Sequence, residues 1–498
     1  MSPADEDDAM PDQNDDAKGF DPADLNSTVI AIPLLKEMKA EPHEPIKVVI
    51  ALHNGYGTPA EAAERVRTIV NDVIANGPHP GERIVERPVE KYVVARLTAD
   101  SIRSVAARDR VAKNRAIYQI WPDFEVTALM NRSVATVKAN AARTTFAAEG
   151  AEIVWAVVDS GIDGTHKHFA EHKNLELDPS LKLKHRDFTE GATATSALQD
   201  AYGHGTHVAG VIAGDSKKFG RAKPAAIRAV LDENGDTDYK PLPVKERFVG
   251  MAPKCKLVSY KVLDDKGRGD TTAIIAALQD IQKVNSYGDK LKIHGINLSV
   301  GYPIDPTWFA CGQSPICVEV TRLVNSGVVV VVAAGNTGYG FYKNRSGAGV
   351  AAGIGQTIND PGNTEAAITV GSTHRDMPHT YGVSYFSSKG PTGDGRAKPD
   401  VIAPGEKILS CAAGQKKADI VAKLGEGASV DYVEDSGTSM AAAHVSGVIA
   451  AFLSIRNEFI GKPAEVKNIF TSTATDLGRV ADFQGRGLID LMRAIQSV

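Results

Sequence analysis

The sequence predicts an α/β protein: a mainly parallel sheet with helices on both faces, preceded by a small α/β-sandwich module. Three observations carry this. Past Ile153 the apolar runs IVWAVVD, LVSYKVL, GINLSV and VVVVVAA are near-continuous rather than alternating, the pattern of strands buried on both faces. Helical stretches stand between them, the alternation that builds a parallel sheet. Before Ile153 a shorter β-α-β-α-β series stands apart, of a size that folds as its own unit.

Residues 1–25 carry nine carboxylates against Lys18 and almost no apolar side chains, so they read as a disordered acidic tail. Residues 26–131 form the small module. Within it IKVVIALHN (46–54) is a strand, and Thr58 to Ala75 an amphipathic helix with Ala60, Ala63, Val66, Ile69, Val70 and Val73 on one face. YVVARL is the clearest strand of Arg83 to Thr98, with a further short strand expected before it. Ala99 to Ala112 is helical and Ala116 to Val126 extended. The larger domain spans 132–498. Its strands are IVWAVVDSG, LVSYKVLD, HGINLSVG, GVVVVVAAGN and AAITVGST. Its helices start at GHGTHVAG and run over Thr271 to Val284, Ile316 to Ser326 and Gly437 to Leu453. A charged insert at 215–248 and a glycine-rich one at 338–357 are expected to be irregular.

Hydrophobic residues make up 43% and charged residues 23%, enough for a substantial core. With the tail set aside the chain is close to neutral, which argues against nucleic-acid binding. The run VVVVVAA is far too short to span a bilayer, so no membrane association is expected. No basic stretch leading into an apolar segment opens the chain. With only four cysteines, Cys255, Cys311, Cys317 and Cys411, this predicts a cytoplasmic protein with reduced thiols and leaves non-classical export open. In an oxidising compartment Cys311 and Cys317 are near enough in sequence to bridge.

In an open parallel sheet the working residues lie where strands end at their carboxyl edge. Asp159 and Asn336 each sit at such a strand end. His204 stands between glycines in GHGTH, and Ser439 among small residues in EDSGTSMAAAHVSG (434–447). Each has an ordinary reading: a helix cap, a structural histidine, a turn asparagine, a tightly packed helix start. Together they supply every part that peptide-bond cleavage by serine needs. Ser439 offers the hydroxyl, His204 the base, and Asp159 the carboxylate that steadies the imidazolium. The Ser439 N–H and the Asn336 side-chain amide offer donors for the oxyanion.

VVDSGID (157–163), GHGTHVAG (203–210), VVVVAAGNTG (329–338) and SGTSMAAAH (436–444) resemble the four diagnostic blocks of the subtilases, the subtilisin-like serine peptidases. Their order, Asp then His then Asn then Ser, is a known property of that family and is recognised rather than deduced. NDPGNTEAAITVGS (359–372), FSSKGPTGDGRAKPDVIAPG (386–405) and GRGLIDLMRA (485–494) resemble further blocks, so the similarity covers about residues 132–498.

The resemblance implies a serine endopeptidase with a subtilisin-like fold, polypeptide substrates and no cofactor for the chemistry. It implies that Gly267, Arg268 and Gly269, and Ser299, Val300 and Gly301, form extended edges pairing with substrate backbone. Asn359 and Asp360 then lie near the P1 pocket, with Pro361 after a cis bond, and Asp360 hints at basic P1 side chains. The N-terminal module resembles subtilase propeptides, which implies an intramolecular inhibitor. WPDFEVTALM (121–130) would enter the cleft and be self-cleaved near residues 127–132.

Two departures stand out. Ala442 and Ala443 replace the family's Ser or Thr and Pro, which relaxes the helix start without removing chemistry. The insert 215–248 has no counterpart in compact members. Its DENGDTD sets Asp232, Asn234, Asp236 and Asp238 at alternate positions, a spacing that can converge on structural Ca²⁺. The glycine is misplaced for an EF-hand and no Glu closes the loop, so a solvated acidic turn is preferred. The competing functional reading is a non-catalytic subtilase-like scaffold that binds peptides or a partner. Nucleotide binding at GAGVAAGIG (347–355) is disfavoured, because that stretch lies well past the preceding strand.

Overall fold

The computed structural model describes residues 29–40, 42–53, 55–77, 79–85, 91–110, 114–122, 132–219, 224–231, 237–242, 247–303, 311–343, 349–425 and 427–498. The acidic tail, the stretch 123–131 around the expected processing region, and Asp232, Asn234 and Asp236 lie outside these residues. The chain divides into two compact units, Met1–Thr127 and Ala128–Val498.

The first unit runs α1 (Ile32–Ala40), β1 (Ile46–Leu52), α2 (Pro59–Asn76), β2 (Arg83–Val85), β3 (Tyr92–Leu97), α3 (Ala99–Arg110) and β4 (Ile117–Pro122). The strands pair antiparallel in the order β2-β3-β1-β4. Helix α2 starts where Thr58 Oγ1 accepts from Glu61 N (3.3 Å) while Glu61 Oε2 accepts from Thr58 N (2.8 Å), a reciprocal cap that satisfies two amides the helix leaves open. Its buried face is Ala62, Val66, Ile69, Val70 and Val73. Ala60, expected on that face, is exposed, because it stands six residues ahead of Val66, off the three-to-four spacing that Ala62 and Ala63 keep.

The second unit opens with α4 (Arg132–Thr136) and α5 (Ala139–Phe146). It continues through β5 (Val154–Asp159), β6 (Arg186–Asp187), α6 (His204–Ile212), β7 (Ala226–Leu231), β8 (Thr237–Leu242), β9 (Lys256–Lys261), α7 (Thr271–Val284), β10 (Gly295–Leu298), α8 (Pro315–Asn325) and β11 (Val329–Ala333). Then come β12 (Tyr339–Lys343), β13 (Gly349–Gly353), β14 (Ile368–His374), α9 (Pro378–Tyr381), β15 (Val401–Glu406), β16 (Ile408–Cys411), α10 (Gly414–Leu424) and β17 (Tyr432–Asp435). The unit closes with α11 (Thr438–Leu453), α12 (Pro463–Ser472), α13 (Ala481–Gln484) and α14 (Leu491–Gln496).

Seven strands form one parallel sheet, ordered β15-β14-β11-β10-β5-β9-β6. The two-residue period of a strand explains the continuous apolar runs. Trp155 and Val157 of β5, and Val329 and Val331 of β11, face a core built on α6 and α11. Val154, Ala156 and Val158, with Val330 and Val332, face a second core built on α7 and α8. All sixteen residues of α11 are buried, and the helix runs unbroken through Ala443, where the family proline is absent.

The described residues of the two inserts include regular strands rather than only irregular chain. In one, β7 and β8 form a hairpin whose β7 pairs in parallel with β17, extending a sheet ordered β16-β17-β7-β8. In the other, β12 and β13 form a hairpin of their own. The partner of β7 lies some two hundred residues away, so no local pattern announces it. All four cysteines are free and buried. No helix among the described residues is long and apolar enough to cross a membrane.

Candidate active site

The sheet itself assembles the site. Val158 stands beside Leu298, and Leu298 beside Val332, so Asp159, Ser299 and Ala333 occupy one row at the carboxyl edge. From β5 the chain moves through α6 to β9 on one side, then returns through α7 to β10 on the other. The strand order therefore reverses between β5 and β10, which opens a crevice above their ends.

Asp159, fully buried, holds His204 at that crevice: Nδ1 of His204 lies 2.7 Å from Asp159 Oδ1, which also accepts from Ser160 N (2.8 Å). The His204 side chain keeps 21% of its surface exposed. Burial disfavours the imidazolium, but the Asp159 charge and hydrogen bond, with Asp435 further off, outweigh it and raise the pKa to about 8. Gly205 permits this approach, since a Cβ there would lie 2.1 Å from Gly161 O and 3.1 Å from Asp159 Cβ.

The turn carrying His204 is fixed by Asp200, a residue the sequence reading did not single out. Its carboxylate accepts from Ser160 Oγ (2.9 Å), Gly203 N (2.7 Å), Thr206 N (2.8 Å) and Thr206 Oγ1 (2.6 Å). Burial raises its pKa even against those bonds. The only signal was a carboxylate four residues ahead of His204, and loop acids are too common for that to stand out.

Ser439 is the second residue of α11 and 8% exposed. Its hydroxyl donates to Ser299 O at 3.4 Å, and Ser299 Oγ donates to Ser439 O at 3.3 Å. The expected Ser439–His204 hydrogen bond is not made; the serine rests against the end of β10 instead. Asn336 is tied to the same helix start, its Oδ1 accepting from Thr438 N (2.9 Å) and Thr438 Oγ1 (3.1 Å). With the oxygen so committed, Nδ2 is left as a donor at the surface beside Gly437.

The expected substrate segments fare unequally. Gly267 and Arg268 are not extended: Asp264 accepts from Arg268 N (2.9 Å) and Asp264 N donates to Arg268 O (2.7 Å), closing a turn. A short acid at the head of the loop competes for amides that an edge would offer. Only Gly269 of the triplet is outside that turn, and the Tyr202 ring packs over Gly267. Ser299 is occupied by Ser439, while Val300 and Gly301 show no backbone partner among the described residues. Beyond them Tyr302 pairs with Asp360 through two 3.0 Å bonds, and the bond preceding Pro361 is cis.

Asp360 does not present its charge. It is 1% exposed and accepts from Asn363 Nδ2 at 2.8 Å, so a basic P1 preference finds no exposed carboxylate here. Asn359 lies against the Asn336 loop, its Oδ1 accepting from Thr337 Oγ1 (3.1 Å). A cavity of about 470 Å³ opens next to Asn336, lined by Tyr385, Phe386, Glu406, Lys407 and Ser436.

Of the calcium candidates only Asp238 is described. It is exposed on β8, 3.9 Å from Lys240 Nζ. No cluster of three or more His, Cys, Asp or Glu suited to a metal occurs among the described residues.

The subtilase family model matches residues 150–487. The chain is similar to subtilisin E of Bacillus subtilis (strain 168), 28% identical over 347 residues that cover 70% of this chain and 66% of that one. It matches a subtilisin of Bacillus pumilus at 28% over 347 residues, 70% of this chain and 92% of that one. Serine protease AprX of Bacillus subtilis (strain 168) is 28% identical over 358 residues, 71% and 68% of the two chains. With a family match over more than half its length, laid on a parallel α/β sheet, the chain belongs to the subtilase family of subtilisin-like serine peptidases.

Proposed function

We propose that the protein is a serine endopeptidase in which Ser439 attacks the scissile carbonyl, His204 takes its proton, and Asp159 orients the imidazole. The Asp159–His204 contact of 2.7 Å is the observation that carries this reading. The Ser439 hydroxyl, now on Ser299 O, turns to His204 when substrate binds, as catalytic hydrogen bonds that are loose in a free enzyme tighten in its complex. The Ser439 N–H, at the start of a sixteen-residue helix, and Asn336 Nδ2 serve as oxyanion donors. No step calls on a metal or cofactor. Substrate backbone runs along Val300 and Gly301, with Gly269 on the opposite side.

A fluorophosphonate probe tests this. Labelling of wild type that is lost in Ser439→Ala and in His204→Ala supports the peptidase. A wild type that takes no label, with or without its first 131 residues, supports the non-catalytic scaffold instead.

The first compact unit acts as an intramolecular inhibitor removed by self-cleavage near residues 127–132. Its separate fold and its place ahead of the peptidase domain support this. Intact mass of wild type and Ser439→Ala checks it: a clipped product in wild type alone is expected, and the same product in both, or in neither, defeats it.

A further inference from the structure

No regular element holds Asn336. β11 ends at Ala333 and β12 begins at Tyr339, and the loop between them is fixed by the segment Phe386–Lys389. Ser388 N donates to Gly335 O (2.9 Å), Thr337 N donates to Ser388 Oγ (3.2 Å), and Gly338 N donates to Phe386 O (3.0 Å). Gly335 N also donates to Thr438 Oγ1 (3.1 Å), and Thr337 Oγ1 lies 3.0 Å from Thr357 O and 3.1 Å from Asn359 Oδ1. A further clamp on the loop is a charged side chain. Lys389, 4% exposed, directs Nζ at three backbone carbonyls: Gly338 O (2.8 Å), Tyr385 O (2.9 Å) and Ser387 O (2.9 Å).

All three ammonium donors are thereby used, and no carboxylate lies within ion-pair distance of Lys389 among the described residues. A buried ammonium without a counter-charge is expensive, and burial lowers its pKa. Only the Phe483 ring, 5.3 Å from Nζ, adds a face for the cation. The two segments approach tightly beside the ammonium: a Cβ on Gly338 would lie 1.9 Å from Ser387 O.

We propose that Lys389 is a positioning residue for the oxyanion donor, a built-in cation that draws three carbonyls together and so fixes the Asn336 loop. Thr438 anchors the Asn336 side chain at its oxygen, and Lys389 anchors the backbone two residues further on. These two anchors hold Asn336 at its side-chain oxygen and at the backbone that follows it. A neutral side chain at 389 leaves three carbonyls facing one another, and the loop relaxes away from Phe386–Ser388. The proposal rests on the reading of Asn336 as an oxyanion donor.

The test uses the full chain, with kcat taken per fluorophosphonate-labelled serine and KM measured on a short peptide amide. Removing an oxyanion donor outright costs on the order of 10²–10³ in kcat. Lys389→Met should lose part of that, about ten-fold, with KM within about two-fold of wild type. In an Asn336→Ala background the same substitution should cost nothing further, because the donor it positions is gone. A merely structural lysine would lower the melting temperature and the labelled fraction while leaving kcat per labelled site unchanged; that result overturns the proposal. Should Lys389→Met not fold, the same readouts on Lys389→Gln decide. If Asn336→Ala lowers kcat and neither Lys389 variant does, only this proposal falls. If Asn336→Ala leaves kcat at the wild-type value, the oxyanion reading falls with it.

Discussion

His204 is buried enough to disfavour its charged form and close enough to Asp159 to favour it, and the carboxylate wins, holding the pKa at about 8. A general base works only when neutral. kcat/KM is therefore expected to rise with pH to a midpoint near 8, above the ordinary imidazole value of 6.5. Asp159→Asn removes the charge that opposes burial, so the midpoint moves down. It also loses the imidazole orientation, at a cost of roughly 10⁴ in kcat. A pH–rate profile of both proteins measures this; a midpoint unmoved by Asp159→Asn contradicts the pairing. The sign for stability follows from the same shift. The folded pKa is raised, so the ion pair's contribution is full below about 6.5 and is lost as the pH rises through about 8.

At the scale of elements, the junction of β5 and α6 leaves no room for a side chain at 205. Gly205→Ala drives a methyl into Gly161 O, and strand and helix must part. The expected cost is about 1–3 kcal/mol of stability. Activity should fall further than that, since the same shift carries His204 away from Asp159. Denaturant unfolding in a Ser439→Ala background, which avoids self-digestion, reads the first effect, and kcat in the active protein the second. The elements differ in how openly the sequence announces them. Strands β5, β9, β10 and β11 are legible as apolar runs because both their faces are buried. The hairpins β7–β8 and β12–β13 are not, because glycines and charges obscure any period and the partner of β7 is β17, far along the chain. The same blindness hides the turn at Gly267–Arg268: the triplet looks extended, and Asp264 closes it.

Across the whole second unit, one buried charge cluster ties β14, β15 and α12 together. Lys398 is wholly buried, its Nζ reaching Asp400 Oδ2 (2.6 Å), Thr369 Oγ1 (2.8 Å) and Ala367 O (3.1 Å). Lys467 pairs with the other Asp400 oxygen at 2.9 Å. Burial outweighs the pairing for Lys398 and lowers its pKa to about 8. Asp400→Ala strands that ammonium and should cost about 3–5 kcal/mol, read as a lower denaturation midpoint in the Ser439→Ala background. An unchanged midpoint would mean that water or a new partner replaces the carboxylate. The cluster lies away from the residues assigned to chemistry, so kcat of the folded fraction should be unaffected.

Sequence by itself determined the class of fold and the course of the buried strands, and it singled out the four side chains proposed for the chemistry. Those features are local: a strand buried on both faces must be apolar throughout, and small residues around a hydroxyl or an imidazole can be read in place. Tertiary structure alone decided that Asp200 braces the His204 turn, that Asp360 faces inward, that Ser439 rests on Ser299 and that Lys389 closes the Asn336 loop. Each of these is a hydrogen bond whose pairing no local pattern announces. Its meaning comes from a partner that only the folded chain brings within 3.4 Å.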